Sequence, residues 1–180
     1  MTRFGWFFTT YFAMLGVGTS MVIHPAPRLI WNATASTPVG LYRLQSERSL
    51  HVGDLIAIRP PADIATMLAH AGYLPLGVPL LKPVAALPGQ LVCRIGAAIT
   101  VDGKVLGNAL ARDHRGRPLP VWQGCRHVLP GQIFVMNPAV PTSLDGRYFG
   151  VLPVDAVLGR AQPLWLAPSP ISSNLNQKRG

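Results

Sequence analysis

Charged side chains are scarce in this sequence. Only 13% of its 180 residues are charged, whereas 49% are hydrophobic, and soluble domains typically carry about 25% charged residues. Such a low charge density excludes a disordered chain and favours one that buries much of itself, or part of itself in lipid. Acidic residues are the scarcer kind, with seven against sixteen basic ones and a net charge of +9. This imbalance predicts a basic surface near anionic lipid headgroups or anionic partners.

Motifs for nucleic acids and metals are also missing. The sequence has no helix-turn-helix pattern, no zinc-ligand spacing and no stacking-aromatic motif. Its arginines are scattered, apart from Arg112, Arg115 and Arg117 in one loop and Lys178-Arg179 near the end. We therefore expect no nucleic acid among the partners, and no metal or cofactor.

Cysteine is limited to Cys93 and Cys125. Their spacing excludes a CxxC redox or zinc motif. A single disulfide in an oxidising compartment fits this pair, and so do two unrelated buried thiols. Export of the chain would favour the disulfide.

The N-terminal segment has no charged residue from position 4 to 27. Its apolar part, residues 4–23, is long enough to form a helix of about 30 Å, which matches the hydrocarbon core of a bilayer. The pattern predicts that residues 1–28 form either an uncleaved membrane anchor, which we favour, or a cleaved signal peptide.

The rest of the chain has a mostly strand-like pattern. It predicts a mainly antiparallel β domain over residues 29–167, followed by a polar tail, 168–180. One short helix is expected at 63–71, with Asp63 as N-cap and Gly72 just past its end. Strands are expected at 41–44, 54–59, 91–95, 131–136, 148–152, 156–159 and 164–166, with a hairpin over 97–106 that turns at Asp102-Gly103.

Lysine is rarer than the acidic residues, with only three in the chain, and one of them, Lys82, lies in a long uncharged segment. The other two, Lys104 and Lys178, fit a hairpin and the tail, but Lys82 is the only charge between His70 and Arg94. A lysine in apolar surroundings has a lowered pKa, and its neutral amine is a competent general base. The alternative is a lysine whose ammonium reaches water along an apolar surface.

A candidate nucleophile, Ser36, lies in the segment NATASTPVGLY, residues 32–42. Pro38 restricts the backbone before it, and Gly40 permits a close approach. A serine at such a stiffened bend can present its hydroxyl to a substrate, although an ordinary loop has the same composition. Asn32 also begins a glycosylation sequon, which matters only for a eukaryotic source.

A third segment, residues 137–150, contains Ser143, Asp145 and Arg147. If the segment is extended, Asp145 and Arg147 face the same side and can form an ion pair. The alternative is an Asp-Gly turn with a surface arginine.

Together, these segments resemble the type I signal peptidase superfamily in order and spacing. More narrowly, they are similar to the TraF maturation proteases of conjugative plasmids. The matching boxes are TASTPVGLY at 34–42, KPVAALPG at 82–89 and SLDGRYFG at 143–150. The likeness extends over roughly residues 30–160. The S-x-P-x-G-x-Y form of the first box belongs to the conjugative branch.

Three departures separate the chain from ordinary leader peptidases. Gly-Asp after the lysine box, Gly-Asp-Asn before the last box and Asp-Ser-Arg within it are replaced by Gly89-Gln90, Val135-Met136-Asn137 and Asp145-Gly146-Arg147. The serine and the lysine are unchanged.

The resemblance implies a serine endopeptidase with a Ser/Lys dyad. Ser36 would attack the scissile carbonyl, and neutral Lys82 would take its proton. The Ser36 backbone N–H and the Thr34 hydroxyl would form the oxyanion hole. Ser143 would orient the lysine amine, with Asp145 and Arg147 in support. Candidate substrate-groove residues are Pro38, Val39 and Gly40.

The resemblance also implies a location and a substrate. The catalytic domain would lie in the periplasm at the bacterial inner membrane, and the partner would be a conjugative pilin precursor, which is trimmed and then cyclised. Two alternatives remain: a general type I signal peptidase for exported proteins, and a non-catalytic envelope component of a conjugative secretion channel. A self-cleaving repressor also uses Ser/Lys, but the chain has no DNA-binding domain and its N-terminus is apolar.

Overall fold

The described residues form two antiparallel β-sheets. The structure is a computed structural model that describes residues 2–22, 28–46 and 49–168. The strands are β1 Leu29–Asn32, β2 Gly40–Gln45, β3 Leu55–Ile58, β4 Leu80–Ala86, β5 Leu91–Ile95, β6 Ala98–Val101, β7 Lys104–Asn108, β8 Gly124–His127, β9 Gln132–Val135, β10 Leu152–Pro153 and β11 Val157–Leu166. The larger sheet has the strand order β1-β2-β11-β3-β4-β9-β10, and the smaller one β7-β6-β5-β8.

The mainly antiparallel β prediction is confirmed. The predicted hairpin is formed by β6 and β7, with Asp102 and Gly103 at positive φ angles of 48° and 80°, as a tight two-residue turn requires. The predicted helix is α2, Ala62–His70. Asp63 lies inside its first turn and does not cap it, because the N-cap residue is Pro61 and makes no side-chain bond. Gly72 does follow the helix end at a positive φ of 68°.

The prediction of a strand at 148–152 is wrong. A short helix, α3, Gly146–Phe149, begins there because the Asp145 carboxylate accepts a hydrogen bond from the Arg147 backbone N–H. This is N-capping, which favours helix over strand locally. After this helix the chain becomes extended only at Leu152 and Pro153, which pair with β9. The segments 156–159 and 164–166 belong to one long strand, β11, and the predicted strands omitted β1, β4 and β8.

The N-terminal segment forms the expected helix, α1, Arg3–Val22. Its large apolar side chains are exposed, including Phe4, Trp6 and Phe12. Within the ranges that the structure describes, no helix has both the length and the apolar character required to cross a membrane. The hydroxyls of Thr9 and Thr19 donate to the carbonyls of Gly5 and Leu15, one turn earlier in the same helix. The rest of the predicted segment, 23–27, and the tail beyond 168 lie outside the described residues.

The core holds the central strands of the larger sheet in place. One buried cluster packs β3, β4 and β9 together through Ile56, Val84 and Val135. A second joins the smaller sheet to the same region through Val92, Ile99 and Phe134. Because β4 pairs with β3 on one side and β9 on the other, a side chain on β4 has a well-defined position.

The two cysteines are register partners on β5 and β8. The structure joins Cys93 and Cys125 in a disulfide. This is the alternative that export of the chain favours.

Candidate active site

The loop that carries Ser36 is organised by Asn32, the last residue of β1. The Asn32 amide donates to the carbonyls of Thr34, Thr37 and Pro38 at 2.9–3.0 Å. Its Oδ1 accepts from the backbone N–H and the hydroxyl of Thr34 at 3.1 and 2.7 Å. One buried side chain therefore closes the loop at both ends. Because the Asn32 amide nitrogen donates to three backbone carbonyls, this residue holds the loop together and does not serve as a glycosylation site.

Three further hydrogen bonds attach this loop to the sheet. The Thr37 hydroxyl donates to the Leu81 carbonyl at 3.2 Å, which ties the loop to the residue before Lys82. The Asn137 amide donates to the Ser36 carbonyl at 2.7 Å. The Tyr42 hydroxyl donates to the Pro38 carbonyl at 2.7 Å. Ser36 is thus positioned by its neighbours on both sides.

Lys82 lies on β4 with its amine against two hydroxyls. Nζ is 2.9 Å from Ser36 Oγ and 2.8 Å from Ser143 Oγ. The residue is 2% exposed, which excludes the alternative of an ammonium that reaches water. Burial lowers the pKa of Lys82 to about 8; the charge of Asp145 opposes this change and that of Arg147 adds to it. At this pKa roughly a tenth of the amine is neutral at pH 7, far more than for a lysine in water.

Thr34 lies beside the dyad, with its hydroxyl oxygen 3.4 Å from Ser36 Oγ. Its single hydroxyl proton is directed at Asn32 Oδ1. To donate to an oxyanion, the Thr34 hydroxyl would have to rotate away from Asn32.

Asp145 and Arg147 form a buried ion pair behind the dyad. The two residues are 0% and 1% exposed, and Arg147 Nε and a terminal nitrogen contact the two carboxylate oxygens at 3.0 and 3.1 Å. Arg147 also donates to the carbonyls of Asn137, Val140 and Pro141. The surface-arginine alternative is thereby excluded. Asp145 and Arg147 form the predicted ion pair, but they do so at the first turn of helix α3 and not along an extended segment.

A cavity of about 210 Å³ opens beside Ser36 and Lys82. Its other walls are largely apolar, formed by Ala35, Leu68, Tyr73, Leu74, Leu80, Val140 and Leu144 together with Thr34, Thr142 and Ser143. An apolar cavity beside a nucleophile suits an apolar substrate side chain.

The predicted groove residues Pro38, Val39 and Gly40 are not in the lining of this cavity. Gly40 instead pairs with the end of β11, where a Cβ would lie 2.2 Å from the Trp165 carbonyl oxygen. The Val39 carbonyl accepts from the Ala167 N–H at 2.8 Å. Val39 and Gly40 hold the end of β11 against β2, which starts immediately after the nucleophile loop.

This geometry supports nucleophilic chemistry assisted by a base. A hydroxyl and a partly neutral amine are within hydrogen-bonding distance, and the amine is oriented by a second hydroxyl. Among the residues that the structure describes, no three His, Cys, Asp or Glu side chains are grouped so that they could hold a metal ion.

A comparison with protein families agrees with this arrangement. The family described as "Signal peptidase, peptidase S26" matches residues 1–166. The chain belongs to the S26 signal peptidase family. Membership of this family implies a serine peptidase, and it confirms the resemblance inferred from the three sequence boxes.

Relatives of this S26 chain include proteins with transfer names. The "Probable conjugal transfer protein TraF" of Sinorhizobium fredii is 39% identical over 73% of this chain and 73% of its own length. The "Conjugal transfer protein TraF" of Agrobacterium fabrum is 35% identical over 74% and 80%. Among solved structures, a signal peptidase I from Enterococcus faecalis V583 matches with a TM-score of 0.39 and 20% identity, over 64% of this chain and 98% of that one.

Sequence reasoning missed two asparagines that shape this S26 site. Asn32 is the last residue of β1, and Asn137 lies two residues after the end of β9. A polar residue at the end of a strand was the available signal. The cavity residue Tyr73, three residues after the end of the helix α2, was also missed and had no such signal. None of these three residues carries a catalytic group of its own.

Proposed function

We propose that this chain is a serine endopeptidase in which Ser36 is the nucleophile and Lys82 the general base. The observation that carries the proposal is the 2.9 Å contact between a buried amine of lowered pKa and the Ser36 hydroxyl. In its neutral form the same amine accepts the hydroxyl proton. Lys82 is the only lysine within the described residues that is buried, so the role falls to this residue.

The reaction follows from these contacts. Ser36 Oγ bonds to the scissile carbonyl carbon while its proton moves to Lys82 Nζ. The developing oxyanion is stabilised by the Ser36 N–H and by the Thr34 hydroxyl once it has rotated. The C–N bond then breaks, and the Lys82 ammonium protonates the leaving amine. Ser143 keeps Nζ in place, and the Asp145–Arg147 pair holds the segment that carries Ser143.

The ester that remains on Ser36 has two possible fates. If water attacks, Lys82 takes a proton from it, the ester bond breaks and a carboxylate is released. If a peptide α-amine attacks, the same proton transfer gives a new amide. The second outcome would cyclise a substrate whose N-terminus reaches the site.

We propose a conjugative pilin precursor as the substrate. Support comes from the relatives of Sinorhizobium and Agrobacterium whose names refer to conjugal transfer. We further propose that the protein acts at the inner membrane with its catalytic domain in the periplasm. The exposed aromatic side chains of α1 support contact with lipid, and the Cys93–Cys125 disulfide suits an oxidising compartment.

Intact-mass analysis of a candidate pilin tests this proposal. The pilin is co-expressed with the wild-type chain, with Ser36→Ala and with Lys82→Arg, in which the arginine cannot act as a base. Ser49→Ala and Lys104→Arg are matched controls at exposed positions. Wild type and controls should shorten the pilin, and loss of one further water would mark cyclisation; both site variants should leave it full-length.

Two results would point elsewhere. Normal maturation in both site variants would favour a non-catalytic envelope component. Cleavage of many exported precursors in place of the pilin would favour a general signal peptidase.

A further inference from the structure

A side-chain clamp holds Tyr73, one of the residues that line the cavity beside Ser36. Tyr73, which follows α2, donates its hydroxyl to Asp113 Oδ2. Arg117 donates to the same carboxylate from Nε and lies 2.7 Å from it through a terminal nitrogen. The Arg117 guanidinium also lies over the Tyr73 ring, 4.6 Å from its centroid. Both the polar end and one face of the ring are therefore held.

The clamp is anchored at both of its ends. Arg117 donates to the Ala71 carbonyl at the C-terminus of α2 at 2.6 Å, and Asp113 accepts from the backbone N–H groups of Arg115 and Arg117 at 2.8 Å. The Asp113 side chain is only 5% exposed. Burial raises the pKa of Asp113, but hydrogen bonds from Tyr73 and Arg117 outweigh it and hold that pKa well below its usual range. The carboxylate thus stays ionised, which strengthens each bond.

Through Tyr73, the connection between β7 and β8 contacts the candidate active site. Tyr73 lines the cavity beside Ser36 and packs against a buried cluster that includes Ala109 and Leu119 from that connection. Leu144, another lining residue, packs on the same cluster. A segment about forty residues away in the sequence therefore supports one wall of the cavity.

We propose that Tyr73 determines which substrate side chain the cavity accepts next to the scissile bond, and that Asp113 and Arg117 are its positioning residues. This inference rests on the proposed peptidase function. A ring that is held at its hydroxyl and at its face cannot swing aside, so the apolar cavity keeps its size. Releasing the ring, or removing it, enlarges the space available to the substrate.

A peptide series with one varied apolar position tests the inference. The position is Ala, Val, Leu or Phe, and kcat and KM are measured for each peptide with Tyr73→Ala, Tyr73→Phe and Arg117→Ala. In Tyr73→Ala, the preference for Phe over Ala should rise at least about tenfold, the usual scale of selectivity in an apolar pocket. Tyr73→Phe and Arg117→Ala should shift it in the same direction by less. The changes should fall mainly on KM, because the Ser36–Lys82 contact is untouched.

Arg115→Ala is the matched control. It removes the same charge from the same loop, at an exposed side chain that contributes only its backbone N–H to Asp113. Its selectivity should equal that of the wild type. A preference that is unchanged in Tyr73→Ala overturns the inference, and a shift in Tyr73→Ala without one in Tyr73→Phe and Arg117→Ala overturns the positioning role.

Binding to a Ser36→Ala background separates this inference from the proposed function. Calorimetry with the same peptides reports selectivity without any cleavage. If the wild type cleaves no peptide, yet Tyr73→Ala alters the relative affinities in this background, the inference stands and the peptidase proposal does not. Equal relative affinities with and without Tyr73→Ala refute the inference even if the wild type is an active peptidase.

Discussion

Raising the pH from 7 to 9 is expected to raise kcat/KM about tenfold, because the reaction needs Lys82 without its proton. With a pKa of about 8, the neutral fraction of the amine is about 9% at pH 7, half at pH 8 and about 91% at pH 9. At the ordinary lysine pKa of 10.5, the fraction at pH 7 would be only about 0.03%. Burial therefore increases the active form roughly 300-fold at neutral pH.

The assay is a pH–rate profile on a peptide substrate, fitted for the ascending limb of kcat/KM, which reports a pKa of the free enzyme. Lys104→Met, at an exposed hairpin position, should leave the limb unchanged, whereas Lys82→Met should abolish activity at every pH. A profile that is flat from pH 6 to 9 would refute the assignment of Lys82 as the base.

The same pKa has a consequence for stability that can be measured without a substrate. Below pH 8 the folded and unfolded states both hold the Lys82 proton, and the cost of burying the charge is complete. Between about pH 8 and 10.5 only the unfolded state holds it, so the free energy of unfolding rises with pH. The total is about 3 kcal/mol. Relative to Lys82→Met, wild type should gain that amount between pH 7 and 10.5 in denaturant titrations, and equal slopes would contradict the buried charge.

Three further substitutions test the surroundings of the dyad. Asp145→Asn leaves Arg147 buried without a counter-charge and should lower the free energy of unfolding by about 3–5 kcal/mol; a loss under about 1 kcal/mol in urea would show that the pair is dispensable. Replacing Cys93 and Cys125 together by serine opens a crosslink with a sequence separation of 32 and should cost roughly 3–4 kcal/mol, with an unchanged midpoint as the contrary result. Gly40→Ala drives a methyl group into a carbonyl 2.2 Å away and should cost about 1–3 kcal/mol, so a Tm equal to that of wild type would mean that the strand edge yields freely.

The site combines one destabilising group with many stabilising ones. A buried lysine amine weakens the fold at neutral pH, whereas the hydrogen bonds of Asn32 and the Asp145–Arg147 pair hold the surrounding backbone. Such strain at a functional site is tolerated only where the neighbouring structure is over-determined. The position of Lys82 on a central strand meets that condition.

Local chemistry explains which elements were predicted correctly. The turn at Asp102-Gly103 depends on two adjacent residues that accept positive φ, and apolar runs predict buried strands such as β3 and β5 without further information. Helix α3 was missed because its start depends on one side chain, that of Asp145, which accepts a bond from two residues ahead. A strand pattern and a capped helical turn of four residues are not distinguishable by periodicity.

By itself, the sequence determined the β class of the protein, the family resemblance and the identity of a serine and a lysine worth examining, because these depend on short-range patterns and on the order of motifs. Only the tertiary structure decided that Lys82 is buried and that its amine meets the hydroxyl of Ser36, 46 residues away. That contact is created by strand pairing and by bonds such as Thr37 to Leu81, none of which a local pattern specifies. The cavity wall at Tyr73 was likewise decided in three dimensions, since the residues that hold it come from a distant loop.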